Sequence, residues 1–330
     1  MNYRNYYGID LGTTHWRFFQ LNASDKSQAP QPLSLTICDP ARHCLSAALL
    51  IDEGSKILAC GERAYEEITH HDSSISVNLL DAFKLCLGNN QTVVASEPNR
   101  RYTHQKALSY TGKLLSKVLE RLQEEKPNCL ATNNQFIFTH PVHWGKTKSN
   151  GEIEGEILND FVVTIRDCFP ERLQDNIHFV AEPEAALISL VQTKQLQELA
   201  TGYTLIVDIG GGTTDLVAGQ WTAESLQDIR YFGAAYGGNH FDQVIADSIA
   251  QRLNLDESQQ FSLDRQLRYY GRKFKENLSQ QARINSSQPV NLTVLLASPT
   301  NVLRQAISLT CAEFEQIARE GKYYLQHSLL

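Results

Sequence analysis

The sequence lacks several features that would assign it to a familiar class of protein. No apolar run approaches the roughly 20 residues that a membrane-spanning helix needs, and the N-terminal stretch MNYRNYYGID has no signal-peptide core. Acidic residues also outnumber basic ones, which gives a formal net charge of −7. A broad nucleic-acid-binding face needs a basic surface. The sequence therefore predicts a chain with neither a membrane nor a nucleic-acid partner.

Paired cysteine motifs are missing as well. The chain has seven cysteines, an odd number, and none of them forms a C-x-x-C motif. This pattern indicates reduced thiols and predicts a cytoplasmic location. Cys38, His43 and Cys44 lie close together in sequence, but no second pair of ligands accompanies them, so they do not predict a zinc site.

What the sequence does contain is a glycine-rich segment between two apolar runs. The stretch 203–221 reads YTLIVDIGGGTTDLVAGQW, and it predicts a β-hairpin whose turn follows Asp208. Successive backbone N–H groups in such a turn form an anion site, to which threonine hydroxyls add donors. A carboxylate beside a phosphate needs a cation between them, so the pattern indicates Mg²⁺ and phosphate. A glycine turn without a ligand is the alternative.

The same arrangement occurs near the N-terminus. Residues 6–21, YYGIDLGTTHWRFFQL, place Asp10, Gly12, Thr13 and Thr14 between two predicted strands. Because 330 residues favour two lobes over one core, we expect one phosphate hairpin in each lobe, holding the nucleotide tail from both sides.

Three further segments admit either a structural or a functional interpretation. Lys84 lies among apolar neighbours, which is typical of a lysine on a half-buried helix. Glu182 begins a predicted helix, where a carboxylate is favourable without any function; the same strand-to-helix junction is where α/β folds bind ligands. Gly237 and Gly238 precede another predicted helix and offer a third possible anion site.

Taken together, these segments resemble the ATPase domain of the seventy-kilodalton, DnaK-type heat-shock chaperones, within the actin/sugar-kinase/heat-shock ATPase superfamily. The resemblance rests on segments in the family's order along nearly the whole chain: DLGTT at 10–14, DAFKLCLG at 81–88, AEPEAA at 181–186, DIGGGTTD at 208–215, YGGNHFD at 236–242 and KENLS at 275–279.

The resemblance implies a role for each matching residue. Asp10 and Asp208 would hold Mg²⁺, mainly through water, and Lys84, Glu182, Asp208 and Thr213 would be the catalytic set. The residues implied in binding ATP or ADP are Gly12, Thr13, Thr14, Gly210, Gly211, Gly212, Thr214, Gly237, Gly238, Lys275 and Ser279.

The implied fold is α/β, with two ribonuclease-H-like lobes around a nucleotide cleft. Lobe I would span 1–200, with its core at 1–38 and 130–200 and an inserted subdomain at about 39–129. Lobe II would span 201–330, with the start of its core at 201–235 and a small subdomain at about 236–330. The family's last glycine-rich adenosine motif and its peptide-binding domain do not occur before Leu330, so we expect the second lobe to be incomplete.

The sequence departs from the family at four further positions. His15 and Trp16 are larger than the usual residues, which predicts a tighter rim beside the phosphates. Arg272 falls where the family tends to have glutamate, and Glu276 falls where it usually has an adenine-stacking arginine. A carboxylate cannot replace a stacked guanidinium, so adenine recognition is expected to be weak.

The implied function is slow hydrolysis of Mg²⁺-ATP that drives conformational switching, with a J-domain co-chaperone and a nucleotide-exchange factor as partners. Two alternatives remain open. One is a non-hydrolysing nucleotide sensor or scaffold of the same fold, and the other is an actin-like or sugar-kinase relative, since both of those share the paired hairpins.

Overall fold

The computed structural model describes residues 5–23, 29–68, 77–87, 103–147, 152–192, 202–221, 226–234, 237–298 and 301–320. The strands in chain order are β1 (Asn5–Leu11), β2 (His15–Asn22), β3 (Gln31–Pro32), β4 (Cys44–Ser46), β5 (Ala48–Asp52), β6 (Ile57–Cys60), β7 (Val77–Asp81), β8 (Gln135–His140), β9 (Lys146–Thr147), β10 (Ile153–Glu154), β11 (Ile177–Ala181), β12 (Gly202–Ile209), β13 (Thr214–Trp221), β14 (Leu226–Ala234), β15 (Val290–Ser298) and β16 (Asn301–Leu309). The helices are α1 (Glu62–Glu67), α2 (His104–Glu125), α3 (Glu156–Asp167), α4 (Glu182–Gln192), α5 (Gly238–Arg252), α6 (Glu257–Asn285) and α7 (Cys311–Glu320). Among these described helices, none is long and apolar enough to cross a membrane.

The chain divides into two compact units. Unit 1 comprises 1–49, 60–62 and 80–235, and unit 2 comprises 50–59, 63–79 and 236–330. This grouping places β12–β14 with the N-terminal half of the chain. The lobe boundaries expected from the sequence stay a prediction.

Unit 1 is built on a mixed six-stranded sheet. Its main path runs β11-β8-β1-β2-β3, and β4 also pairs with β2. β1 is parallel to β8 and antiparallel to β2, so the first predicted hairpin lies at the centre of this sheet. Alternation explains β1, because Tyr7, Ile9 and Leu11 are buried while the residues between them are half-buried.

Helix α2 follows the predicted apolar stripe. Its buried residues include Leu108, Leu115 and Leu122, which recur at helical spacing. Thr103 caps the N-terminus by accepting a hydrogen bond from the Lys106 N–H. The helix ends just before Pro127, as the sequence predicts.

The second predicted hairpin forms the antiparallel sheet β12-β13-β14, also in unit 1. One face of β12 is apolar and exposed: Tyr203, Leu205, Val207 and Ile209 are 92%, 63%, 50% and 70% accessible. Phe232 on β14 is 74% accessible. It pairs with Leu216 on β13, and Leu216 pairs with Val207 on β12, so these three side chains lie on the same face of the sheet. Asp208 points to the opposite face, because side chains alternate along a strand.

Unit 2 contains most of the residues of the sheet β6-β5-β7, the hairpin β15-β16 and helices α5, α6 and α7. Its core is formed by apolar side chains of these helices and of the hairpin: Ile245, Ala246, Ile249, Ala250, Leu263, Leu267, Phe274, Leu278, Val294, Leu296, Ile307 and Leu309. Val294 and Leu296 are buried in β15. Thr310 and Glu313 form the capping box of α7 by reciprocal hydrogen bonds.

Local predictions differ from the structure at several elements. Residues 77–87 form β7 and a 3-10 helix at Phe83–Cys86, so Lys84 does not lie on an α-helix. The hydrophilic sequence at 146–155 predicts a loop, but the segment carries the short pair β9-β10. The sequence also predicts that α4 continues to Leu199 and α7 toward Tyr324, and these continuations lie outside the described residues.

Close helix packing in unit 2 depends on a glycine. A Cβ atom added at Gly271 in α6 would lie 2.2 Å from the backbone oxygen of Asp242 in α5. We expect Gly271→Ala to lower the free energy of unfolding by about 2–3 kcal/mol, because the helices must separate. Gly112→Ala in α2 is the matched control. Its nearest atom would be 3.4 Å away, so alanine should be neutral or stabilising by up to about 1 kcal/mol. Thermal unfolding followed by circular dichroism measures both, and equal effects would contradict the packing argument.

Candidate functional site

The first hairpin presents Asp10 at the end of β1 and a tight turn at residues 12–14. Gly12 is required sterically, because an added Cβ would lie 2.4 Å from the backbone oxygen of His15. The Ala47 N–H donates to the Thr14 carbonyl at 2.8 Å, which anchors the far side of the turn. Trp16 does not form a rim beside this turn. It is buried edge-on against Phe83, so the expectation was wrong for Trp16. The His15 Nδ1 atom does lie beside the turn, 3.2 Å from the Thr14 hydroxyl oxygen.

The second hairpin has the same form. The Gly210 N–H donates to the Thr213 carbonyl at 2.8 Å and closes the turn. Asp208 and Asp215 are directly opposite cross-strand partners on β12 and β13. Like charges in opposite positions repel, so this pair favours a cation nearby.

The tips of the two hairpins meet within unit 1. A Cβ at Gly211 would lie 2.8 Å from the Thr14 Cγ2 atom, and a Cβ at Gly212 would lie 2.8 Å from the Thr13 Cγ2 atom. The side chain of Leu85 also lies against Gly212. The structure therefore brings together residues 12–14 and 210–214, as the arrangement inferred from the sequence requires.

Lys84 reaches the same region from the 3-10 helix. Its Nζ atom lies 2.5 Å from Oε1 of Glu182, the first residue of α4. The two side chains are only 12% and 14% exposed, and Lys84 also lies over the Trp144 ring at 5.9 Å from its centre. The structural interpretation of Lys84 was a lysine on a half-buried helix. The Lys84 side chain is instead buried and paired with a buried glutamate.

The electrostatics of the site are dominated by carboxylates. Burial acts to lower the pKa of Lys84, but Glu182, Asp10 and Asp215 outweigh it and raise that pKa, which keeps the ammonium charged. Burial raises the pKa of Asp208, and the charges of Asp215 and Asp10 raise it further. Burial likewise raises the pKa of Glu182 against the opposing effect of Lys84.

Two residues that were not predicted as site residues from the sequence also belong to this site. Asp215 is 2% exposed and acts on the pKa values of Lys84, Glu182 and Asp208. Thr139, at the end of β8, donates its hydroxyl to Oδ1 of Asp10 at 2.9 Å. The register of the hairpin could have revealed Asp215, whereas Thr139 requires the long-range pairing of β8 with β1.

The residues fit a divalent cation that is held through water. Four carboxylates, Asp10, Glu182, Asp208 and Asp215, interact with one ammonium group, so the site carries excess negative charge that a cation would balance. Within the described part of the chain, no three His, Cys, Asp or Glu side chains converge to ligate a metal directly. Mg²⁺ keeps several waters and is commonly bound by one or two carboxylates together with phosphates.

The remaining predicted ligands belong to unit 2. Gly237 caps α5, and the Lys275 Nζ atom lies 2.9 Å from the Gly238 carbonyl oxygen and 2.5 Å from Oδ1 of Asp242. Ser279 is exposed one turn further along α6. Lys275 is thus engaged by a carboxylate of its own unit.

Arg272 occupies a defined place in unit 2. Its guanidinium lies over the rings of Tyr65 and Tyr269, at 5.3 and 5.5 Å from their centres. The two rings are stacked on each other at 4.5 Å. Arg272 is therefore held by aromatic side chains of its own unit, and it is buried.

Comparison with known proteins identifies the architecture. No protein-family model matches the chain. Two crystal structures of MreB 5 of Spiroplasma citri, one bound to AMPPNP and one bound to ADP, match 99% and 98% of this chain and 77% of theirs, each with a TM-score of 0.54 and 14% sequence identity. The chain has the two-lobed actin-like ATPase fold.

The similarity confirms the predicted α/β class and the two-lobed actin-like fold. At 14% identity it shows the fold alone. It does not single out the heat-shock chaperones, and the alternative of an actin-like relative fits the MreB structures better.

Proposed function

We propose that this protein binds Mg²⁺-ATP at the two hairpins of unit 1 and hydrolyses it slowly. The observation that carries the proposal is the convergence of the hairpin tips with the buried Lys84–Glu182 pair and with Asp10, Asp208 and Asp215. The resemblance in sequence and the actin-like fold support the same reaction independently. The lobe boundaries and a cytoplasmic location belong to this proposal too.

The residues divide the work as follows. Backbone N–H groups of residues 12–14 and 211–213, with the hydroxyls of Thr13, Thr14, Thr213 and Thr214, bind the β- and γ-phosphates. Asp10 and Asp208 would hold Mg²⁺ through its water ligands, and the ion would supply charge neutralisation at the phosphates. Positioning and charge stabilisation account for most of the catalysis in phosphoryl transfer.

Hydrolysis itself involves Lys84 and Glu182. Glu182 accepts a hydrogen bond from the attacking water and orients it toward the γ-phosphorus. Lys84 stabilises the negative charge of the transferring phosphoryl group. The bond from phosphorus to the β–γ bridging oxygen breaks, and the products are ADP and inorganic phosphate.

Isothermal titration calorimetry of the intact chain with ADP, in Mg²⁺ and in EDTA, tests binding directly. We expect affinity in Mg²⁺ to exceed affinity in EDTA, because the carboxylates repel a nucleotide without its cation. A single-turnover assay with [γ-³²P]ATP then tests hydrolysis. Equal or undetectable binding in both buffers would refute the proposal, and binding without hydrolysis would favour the nucleotide sensor.

Weak selectivity for adenine is a separate prediction. Glu276 replaces the stacking arginine, Arg272 is held by Tyr65 and Tyr269, and Lys275 is paired with Asp242. We therefore expect ATP and GTP to compete within roughly tenfold, or about 1.4 kcal/mol. Competition titrations against one fluorescent nucleotide measure this, and a hundredfold preference for ATP would contradict it.

Two branches of the superfamily remain candidates for the biological role. The segments 81–88, 236–242 and 275–279 favour a chaperone-like domain that answers to a J-domain co-chaperone and a nucleotide-exchange factor. The MreB similarity favours an actin-like relative. Stimulation of hydrolysis by a J-domain would support the first, and ATP-dependent sedimentation of the chain would support the second.

A further inference from the structure

The end of strand β8 contributes a hydroxyl to the site. β8 runs parallel to β1, with Phe138 paired to Ile9, so the next residues along the two strands are Thr139 and Asp10. The Thr139 Oγ1 atom donates to Oδ1 of Asp10 at 2.9 Å. A hydrogen bond to a carboxylate is shorter and stronger than one between neutral groups.

This bond is not needed to hold the strands together. Backbone pairing of Tyr6–Ile9 with Gln135–Phe138 already joins β1 to β8, and Thr139 itself pairs with Val180 on β11. The side-chain hydroxyl adds no backbone hydrogen bond between β8 and either neighbouring strand. Its hydrogen bond is made to the Asp10 carboxylate.

The orientation of Asp10 matters because a carboxylate has a broad terminal torsion. Without a donor, the charges of Glu182, Asp208 and Asp215 bias its direction. The bond from Thr139 fixes Oδ1 and leaves Oδ2 to accept from water of a hydrated cation. A hydroxyl donor also brings no positive charge that would repel Mg²⁺.

We propose that Thr139 is a positioning residue that orients Asp10 toward the hydration shell of Mg²⁺. This inference rests on the proposed function and deepens it. It assigns to Thr139 an effect on the cation that is separable from any effect on the nucleotide.

Thr139→Val and Thr139→Ser form the test pair. Valine keeps the shape and the strand preference of threonine and removes the donor, whereas serine keeps the donor. We expect valine to raise by about tenfold the Mg²⁺ concentration that gives half of the maximal ADP-induced rise in melting temperature. Serine should stay within about twofold of the wild type, and ADP affinity in EDTA should be the same for all three.

Thr164→Val is the matched control. The Thr164 hydroxyl donates to the Asp160 carbonyl inside α3 at 2.9 Å and touches no residue of the candidate site. Its Mg²⁺ dependence should equal that of the wild type. Melting temperatures without ligand show whether any variant is misfolded.

The outcomes separate the two claims. If Thr139→Val matches the wild type in Mg²⁺ dependence, the positioning role is wrong while nucleotide binding stands. If valine weakens ADP binding equally in Mg²⁺ and in EDTA, Thr139 acts on the nucleotide rather than through Asp10, and the inference also fails. If the wild type shows no Mg²⁺-dependent effect of ADP, the proposed function fails, and this inference fails as well because it rests on that function.

Discussion

Replacing Lys84 with alanine is expected to abolish ATP hydrolysis while leaving nucleotide binding largely intact. In the proposed mechanism the hairpin backbones and threonines bind the phosphates in the wild type and in the variant, so affinity for Mg²⁺-ADP should change little. The Lys84 ammonium group interacts with the site carboxylates Asp10, Glu182, Asp208 and Asp215. Its loss should slow hydrolysis by about 10²–10³ or more. Single-turnover [γ-³²P]ATP assays and calorimetry measure the two effects separately.

The same substitution should also destabilise unit 1. It leaves Glu182 buried without its partner, beside the charges of Asp10 and Asp215. Breaking one side of a buried ion pair costs about 3–5 kcal/mol. The double variant Lys84→Ala, Glu182→Gln removes the orphaned charge, so it should recover most of the stability and none of the activity.

Lys117→Ala is the matched control for the lysine substitution. Lys117 pairs with Glu120 at 2.6 Å on the exposed face of α2, where both side chains are largely accessible. Exposed pairs contribute little, so stability should change by less than about 1 kcal/mol and hydrolysis should be normal. An unchanged hydrolysis rate in Lys84→Ala would remove Lys84 from the mechanism.

Gly12→Ala is expected to abolish tight nucleotide binding by distorting the first hairpin. The added methyl group would lie 2.4 Å from the His15 carbonyl oxygen, which is backbone and cannot rotate away. The turn must open, and its N–H groups then no longer converge. We expect the dissociation constant for Mg²⁺-ADP to rise at least about a hundredfold, or roughly 2.7 kcal/mol.

Gly8→Ala tests whether the effect belongs to the turn. Gly8 lies on the same strand β1, but a methyl group there would meet only the Phe19 Cβ atom, at an ordinary contact distance of 3.8 Å. Its affinity for Mg²⁺-ADP should equal that of the wild type. If Gly12→Ala bound as tightly as Gly8→Ala, the turn at residues 12–14 would not be a phosphate site.

Local chemistry explains what could be predicted from the sequence. A glycine turn between alternating apolar residues determines a hairpin by itself, and both hairpins form where expected. Helix α2 was predictable for the same reason, since its stripe and its proline stop are local signals. The residues that only the fold could reveal, Thr139 and Leu85, reach the site through long-range pairing or packing.

Two segments show where local signals are ambiguous. The run Val77–Asp81 is apolar but short, and such runs do not separate strand from helix. Here the chain forms a strand, and Ala82 then adopts a left-handed conformation with φ of 49°, which ends it. Trp16 looked like a rim residue because of its size, yet alternation along β2 turns it inward against Phe83.

The apolar face of β12 affects how the chain behaves in solution. Tyr203, Leu205, Val207, Ile209 and Phe232 form a contiguous water-exposed surface, and patches of this kind promote aggregation. Recombinant material should therefore lose colloidal stability at high concentration and high ionic strength, where apolar attraction outweighs charge repulsion. Polar replacements at Leu205 or Val207 should improve soluble yield without reaching the nucleotide, since Asp208 projects from the reverse side of the strand.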